Sequence, residues 1–241
     1  MSDPGQTPAL PLWPEGSTPD YIAARLDLAK AERLLRDQIE QVAAARRRLP
    51  EGAIVRDYTL AEGPPQLSID EPVRATHLAE IFGEHDTLFV YHLMFHPDEA
   101  EPCPMCSMWV DGLHGVSHHL AQHAALAIVA KAPLPKLRTW ARRRGWDGLR
   151  LVSSYGTSFN EDLHAEYPGG GQRPMFSVLV RDGGKVRHFY SLPASLLDGS
   201  ERGIDLMSPV WNVLDLMPGG RGDWYAGNAY PGRARGEAAP R

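Results

Sequence analysis

Only two cysteines occur among the 241 residues, at positions 103 and 106. A bridge between residues three apart closes too short a loop to restrict the unfolded chain much, so these thiols do not staple a fold. A chain of this length buries an adequate core without one, and chemistry is the better explanation for the pair. No run of about 18 apolar residues exists to cross a membrane. The opening residues, MSDPGQTPALPLWPEG, lack the basic stretch and following apolar stretch of a secretory leader, and a cytoplasmic location is expected. Basic charge is not in excess either: 25 Lys and Arg against 30 Asp and Glu leave a net charge of −5. Nucleic acid and anionic membrane surfaces are therefore not expected partners. Gly169-Gly170-Gly171 has neither the Lys-Ser/Thr pair nor the following helix of a phosphate loop.

What is present reads as an α/β chain. Residues 1–19 carry five prolines and no periodicity, the pattern of an extended arm. Between Asp20 and Leu49 the residues Ile22, Leu26, Ala29, Leu34, Leu35, Ile39 and Val42 recur at helical spacing, so residues 20–72 are expected to hold a long helical extension and a linker. Within it, 53–60 reads as a short strand. Two-sided apolar patterning over Thr87 to Phe95 predicts a central strand, with Leu88, Val90, His92 and Met94 on one face and Phe89, Tyr91, Leu93 and Phe95 on the other. A helix after Cys106, a strand at Ala125 to Ala130, a helix opened by Pro133 and stopped by Gly145, and a strand at Leu149 to Ser153 continue the pattern. Gly112 and Gly115 predict a kink or break in the first of these helices. Asp182-Gly183-Gly184 between two apolar runs predicts a hairpin.

The chemistry centres on Cys103-Pro104-Met105-Cys106, placed between a strand and a helix. A sulfur at a helix start meets unsatisfied N–H groups and the positive dipole end, which favour the thiolate. Cys103 is thus the expected nucleophile and Cys106 the resolving thiol. Trp109, on the inward face one turn later, and His92, buried in the strand, are read as supporting residues. A rival reading places Cu(I) or Zn(II) on Cys103, Cys106 and one of His92, His96 or His164. His114, His118, His119 and His123 lie too far along a straight helix to share such a metal and read as solvated. A third reading is a catalytically silent interaction module whose N-terminal helix drives homodimerisation.

Several separated motifs resemble one family. They are Val90 to Phe95, the Cys103 to Ser107 segment, Lys131-Ala132-Pro133-Leu134, Arg144-Gly145-Trp146, Val152 to Gly156, Phe159-Asn160-Glu161-Asp162 and Leu214 to Arg221. As a set they are similar to a thioredoxin-like bacterial family catalogued as a domain of unknown function. Its members are often labelled dithiol-disulfide oxidoreductases of the alkyl-hydroperoxide-reductase/thiol-antioxidant kind. The resemblance implies a thioredoxin-like fold, a central mixed sheet flanked by helices, over residues 73–225; the polar, Gly/Pro-rich end, 226–241, reads as a flexible tail. It implies thiol–disulfide exchange on a thiol or disulfide substrate, protein or small molecule, with no cofactor. It also implies a cis-proline loop facing the sulfurs at Pro174, with Arg173 beside them to lower a thiolate pKa. Phe159-Asn160-Glu161-Asp162-Leu163 departs from the family's usual FN-x-DF, and the segment before Pro174 is short, so substrate choice is expected to differ here.

Overall fold

The computed structural model describes residues 11–69, 71–195 and 209–229. The chain divides into two compact units, Met1–Pro50 and Glu51–Arg241. Residues 1–10 of the expected arm and 230–241 of the expected tail lie outside the described residues.

The first unit is one helix, α1, over Pro19–Arg47. Thr18 caps it, its hydroxyl accepting the N–H of Tyr21 at 3.2 Å. Asp20 in the first turn and Arg46 and Arg47 in the last suit the helix dipole. Leu26, Leu34, Leu35, Ile39 and Val42 are exposed, while Ala29 is buried. On its surface Lys30 pairs with Asp27 at 2.7 Å, three residues before it.

The second unit is built on one eight-stranded sheet, ordered β1-β8-β7-β4-β5-β6-β2-β3. The strands are β1 (Ile54–Val55), β2 (Thr59–Glu62), β3 (Arg74–His77), β4 (Thr87–Leu93), β5 (Ala125–Ala130), β6 (Arg150–Ser153), β7 (Met175–Asp182) and β8 (Lys185–Pro193). β4, β5 and β6 run parallel, joined through the helices α3 (Pro104–Leu120) and α4 (Leu134–Arg144). The β7–β8 hairpin turns at Gly183 and Gly184, both at positive φ, and adds antiparallel to β4. This is the expected thioredoxin-like α/β arrangement with an N-terminal helix. The sheet takes in residues from Ile54 onward, so β1 at one edge and β2, next to the other edge, come from the 20–72 segment expected to be extension and linker.

Strand alternation sorts the core into two layers. Tyr91, Leu93 and Phe95 join Met105, Cys106, Trp109, Leu113 and Trp140 of α3 and α4 on one side of the sheet. Leu88 and Val90 join Leu78, Phe82, Phe159 and Leu163 on the other, against α2 (Leu78–Ile81) and α5 (Phe159–Asp162).

The break expected in α3 does not occur, and the helix runs unbroken through Gly112 and Gly115. Two glycines cost about 1 kcal/mol each. The buried face from Met105 to Leu113 outweighs that, since one large buried side chain is worth about 1.5–3 kcal/mol. Val116 is exposed, while Leu120 one turn later still packs against the core. Asp111 ties α3 to the end of α4, accepting the indole N–H of Trp146 at 2.7 Å and pairing with the buried Arg144.

Gly145 stops α4 as expected, at φ 76 and ψ 30 with its N–H turned back to Ala141 and Arg142. A Cβ in this left-handed conformation clashes with backbone. Gly145→Ala is expected to lower stability by about 1 kcal/mol, and Gly145→Asn by less, in urea titrations at constant slope.

Candidate active site

β4 runs straight at the thiols. Its chain passes the loop at 96–102 and returns so that the N–H of Cys103 bonds the carbonyl of Met94 at 3.0 Å. Cys103 is the N-cap of α3, with extended φ −52 and ψ 127, and Pro104 occupies the first turn. Proline is favoured there because its missing N–H has no helical partner to lose. The first helical bond runs from Ser107 N–H to the Cys103 carbonyl at 3.0 Å. Lys136 fastens the loop by donating to the Pro97 carbonyl at 2.6 Å.

Both cysteines are free, Cys103 partly buried and Cys106 buried, and they approach to 3.6 Å. Cys103 is drawn down to about 6 from the ordinary thiol value. The thiol of Cys106 contributes most to this, followed by the backbone N–H groups of Cys106 and Met105, while burial and Glu99 oppose. Burial pushes Cys106 well up, and its contact with Cys103 adds to that. One sulfur is therefore a thiolate at neutral pH and its neighbour a protonated donor.

An open cleft of about 710 Å³ gives access to Cys103, lined by Met94, His96, Glu99, Glu101, Gln172 and Asn228 among others. Asn228 donates to Glu101 and to the Pro102 carbonyl, both at 3.1 Å, and Ala226 N–H bonds the Met105 sulfur at 3.4 Å. Residues 226–229 are thus packed against the start of α3, where a flexible tail was expected.

The expected supporting residues are placed differently. Arg173–Pro174 is trans, since no peptide bond among the described residues is cis. Arg173 lies over the ring of Tyr167 at 6.0 Å, and the pull on Cys103 comes instead from Cys106 and the helix N–H groups. Trp109 is core, edge-on to Tyr91 and Trp211 at 6.4 Å each. His92, as alternation from Tyr91 requires, points to the opposite side of the sheet. There it stacks on Phe159 at 5.7 Å and bonds Ser177 at 3.1 Å. The hydroxyl of Ser177 meets Ser191 at 2.9 Å, and Ser191 meets His188 at 2.8 Å.

The alternative metal ligands are not assembled. Of Cys106, His92, His96 and His164, only His96 shares the cleft with Cys103. His164 opens with His188 onto another cleft, lined by Arg56, Tyr58 and Asp162. Among the described residues no group of three or more His, Cys, Asp or Glu side chains could hold a metal. His118, His119 and His123 are exposed, as expected of solvated residues, whereas His114 is half-buried with its ring bonded to the Asp147 carbonyl at 3.0 Å. Among the described residues no helix is long and apolar enough to cross a membrane.

Sequence reasoning missed Tyr91 and Asn228. Tyr91 is fully buried, and its hydroxyl is coupled to Cys106 and, more weakly, to Cys103. Its inward parity on β4 was legible. That it meets a sulfur 15 residues on, across a loop, was not.

The chain belongs to the family described as Bacterial protein of unknown function (DUF899), whose profile matches residues 13–234. No curated protein matches it. Among solved structures it is similar to Enterococcus faecalis AhpC, at 9% identity and TM-score 0.49, over 65% of this chain and 87% of that one. Peroxidoxin BcpB from Mycobacterium tuberculosis is similar at 13% identity and TM-score 0.47, over 66% and 94%. The reduced 2-Cys peroxiredoxin of Plasmodium vivax is similar at 10% identity and TM-score 0.46, over 59% and 84%.

Proposed function

We propose that this member of the family carries out thiol–disulfide exchange through Cys103 and Cys106. The observation that carries the reading is the placement of Cys103 at the N-cap of α3 with the Cys106 sulfur 3.6 Å away, in a setting that draws Cys103 down to about 6. The Cys103 thiolate attacks a substrate disulfide and one substrate thiol leaves. Cys106 then attacks the mixed disulfide, giving a Cys103–Cys106 bridge and the second substrate thiol; the reverse sequence oxidises a dithiol. No external oxidant enters either direction.

The charge pattern bears on direction. A thiolate stabilised to about 6 stabilises the dithiol form over the disulfide and makes the pair more oxidising. Because the folded value lies below the unfolded one, this stabilisation is complete above about pH 9 and is lost as pH falls through 6. Near neutrality this biases the pair toward oxidising a substrate dithiol, the potential of the substrate couple deciding the direction.

The test is a titration of the reduced, folded chain with 5,5′-dithiobis(2-nitrobenzoate). Two equivalents of coloured thiol per chain, a Cys103–Cys106 disulfide by mass spectrometry and full recovery with dithiothreitol are expected. A halt at one equivalent with Cys103 stably capped, or no release from the folded chain, would overturn the reading and leave a silent module.

A further inference from the structure

Cys106 must become a nucleophile in a place hostile to charge. Its sulfur is fully enclosed by the layer that includes Tyr91, Met105, Trp109 and Leu113. A thiolate there has no water to solvate it, so protein donors must do so. Two are at hand. The phenol of Tyr91, which shares the buried cluster with Cys106, and the backbone N–H of Met94 each pull the Cys106 thiol down against its burial. Tyr91 is the telling one, because its side chain is completely buried and its hydroxyl makes no hydrogen bond of ordinary geometry in the dithiol state. Buried hydroxyls are rarely left so. The ring is fixed by its contact with Trp109, one turn past Cys106, so the hydroxyl is held beside that sulfur with no other partner.

Building on the exchange reading above, we propose that the Tyr91 hydroxyl is the donor that stabilises the Cys106 sulfur as it attacks the mixed disulfide. In that step the Cys106 sulfur forms a bond to the Cys103 sulfur, and the bond from Cys103 to the substrate sulfur breaks. The electron pair leaves with the substrate thiolate, which takes up the proton Cys106 gives up. Tyr91 keeps its own proton. It donates a hydrogen bond to the charge on Cys106 while that charge exists and relinquishes it when the disulfide closes. The same contact favours Cys106 as leaving group in the reverse direction. A hydrogen bond to a charged group is stronger than one to a neutral thiol, so the effect falls on the transition state rather than on the resting protein.

The titration reagent separates the two steps, since the first coloured thiol reports attack by Cys103 and the second reports attack by Cys106. In stopped-flow runs, Tyr91→Phe is expected to leave the first release unchanged. The second is expected to slow about tenfold and its pH midpoint to move upward. Leu113→Ala, which loosens the same layer without removing a donor to sulfur or the ring against which Tyr91 is held, is expected to lower stability without separating the steps. 3-Fluorotyrosine placed at position 91, a stronger donor of nearly the same size, is expected to speed the second release. Equal slowing of both releases in Tyr91→Phe, or an unmoved pH midpoint, overturns the role of Tyr91. Failure of the unmodified chain to give a second release instead removes the exchange reading on which it rests.

Discussion

Cys103→Ser is expected to cut disulfide exchange by more than about a thousandfold, because the thiol that remains, Cys106, is enclosed and protonated. Cys106→Ala should act on Cys103 more subtly. Cys106 is the largest contributor to the low Cys103 value, so its removal carries the titration of Cys103 from about 6 toward the ordinary 9.0. At pH 6 a complete return would reduce the thiolate fraction from about one half to about one thousandth. A more basic thiolate is also a better nucleophile, with a Brønsted slope of about 0.4–0.5, which restores about 20-fold. The net loss at pH 6 is therefore about 20-fold, and the midpoint is the sharper quantity. Iodoacetamide labelling of Cys106→Ala between pH 5 and 10 measures both. A midpoint that stays near 6 would assign the effect to the helix N–H groups alone.

Acid is expected to weaken the fold through His92. Burial pushes its imidazole down to about 3, against 6.5 in an exposed chain, with Asn160 partly offsetting and His188 reinforcing. The sign follows from which state binds the proton first. Between pH 6.5 and 3 the unfolded chain is protonated at this residue and the native one is not, so native stability falls as pH drops through that window. From pH 7 to pH 4 the loss from this residue is about 3 kcal/mol. His92→Gln retains a polar group for Ser177 and cannot be protonated. Its urea-unfolding free energy should fall by about 3 kcal/mol less than that of the parent over the same interval, whatever its stability at pH 7. Identical pH dependence in the two chains would show that His92 is solvated in the native state.

Local signals carried most of the fold. Two-sided apolar patterning located β4, Asp182-Gly183-Gly184 located the hairpin, and Gly145 ended α4 at the residue expected. Local signals also misled where tertiary packing was stronger. The glycines at 112 and 115 weaken α3 without breaking it, because Trp109, Val110 and Leu113 are already committed to the core. The candidate site was legible in its two sulfurs, since strand, proline and helix fix their setting. Its surroundings were not. His92 attracted attention as a buried imidazole, yet parity with Leu88 and Val90 already placed it on the wrong side of β4. Arg173 and Pro174 matched by position along the chain, but position does not specify a peptide isomer or the direction of a guanidinium. Tyr91 was hidden because an inward tyrosine on a central strand reads as packing, and only the folded chain shows that a sulfur stands before its hydroxyl.

The wall of the cleft formed by residues 226–229 has a bearing on how the protein is made. Met105 and Ala226 are 121 positions apart, and Asn228 and Glu101 are 127 apart. During synthesis the cysteines therefore leave the ribosome long before the residues that close over the start of α3. In that interval the carboxylate of Glu101 and the thioether of Met105 lack these partners, and Cys103 faces the solution with one side of its setting unbuilt. A nascent chain is thus more open to adventitious oxidation or mixed-disulfide formation than the finished one. A chain interrupted before Ala226 would keep both sulfurs while losing part of what controls their reach.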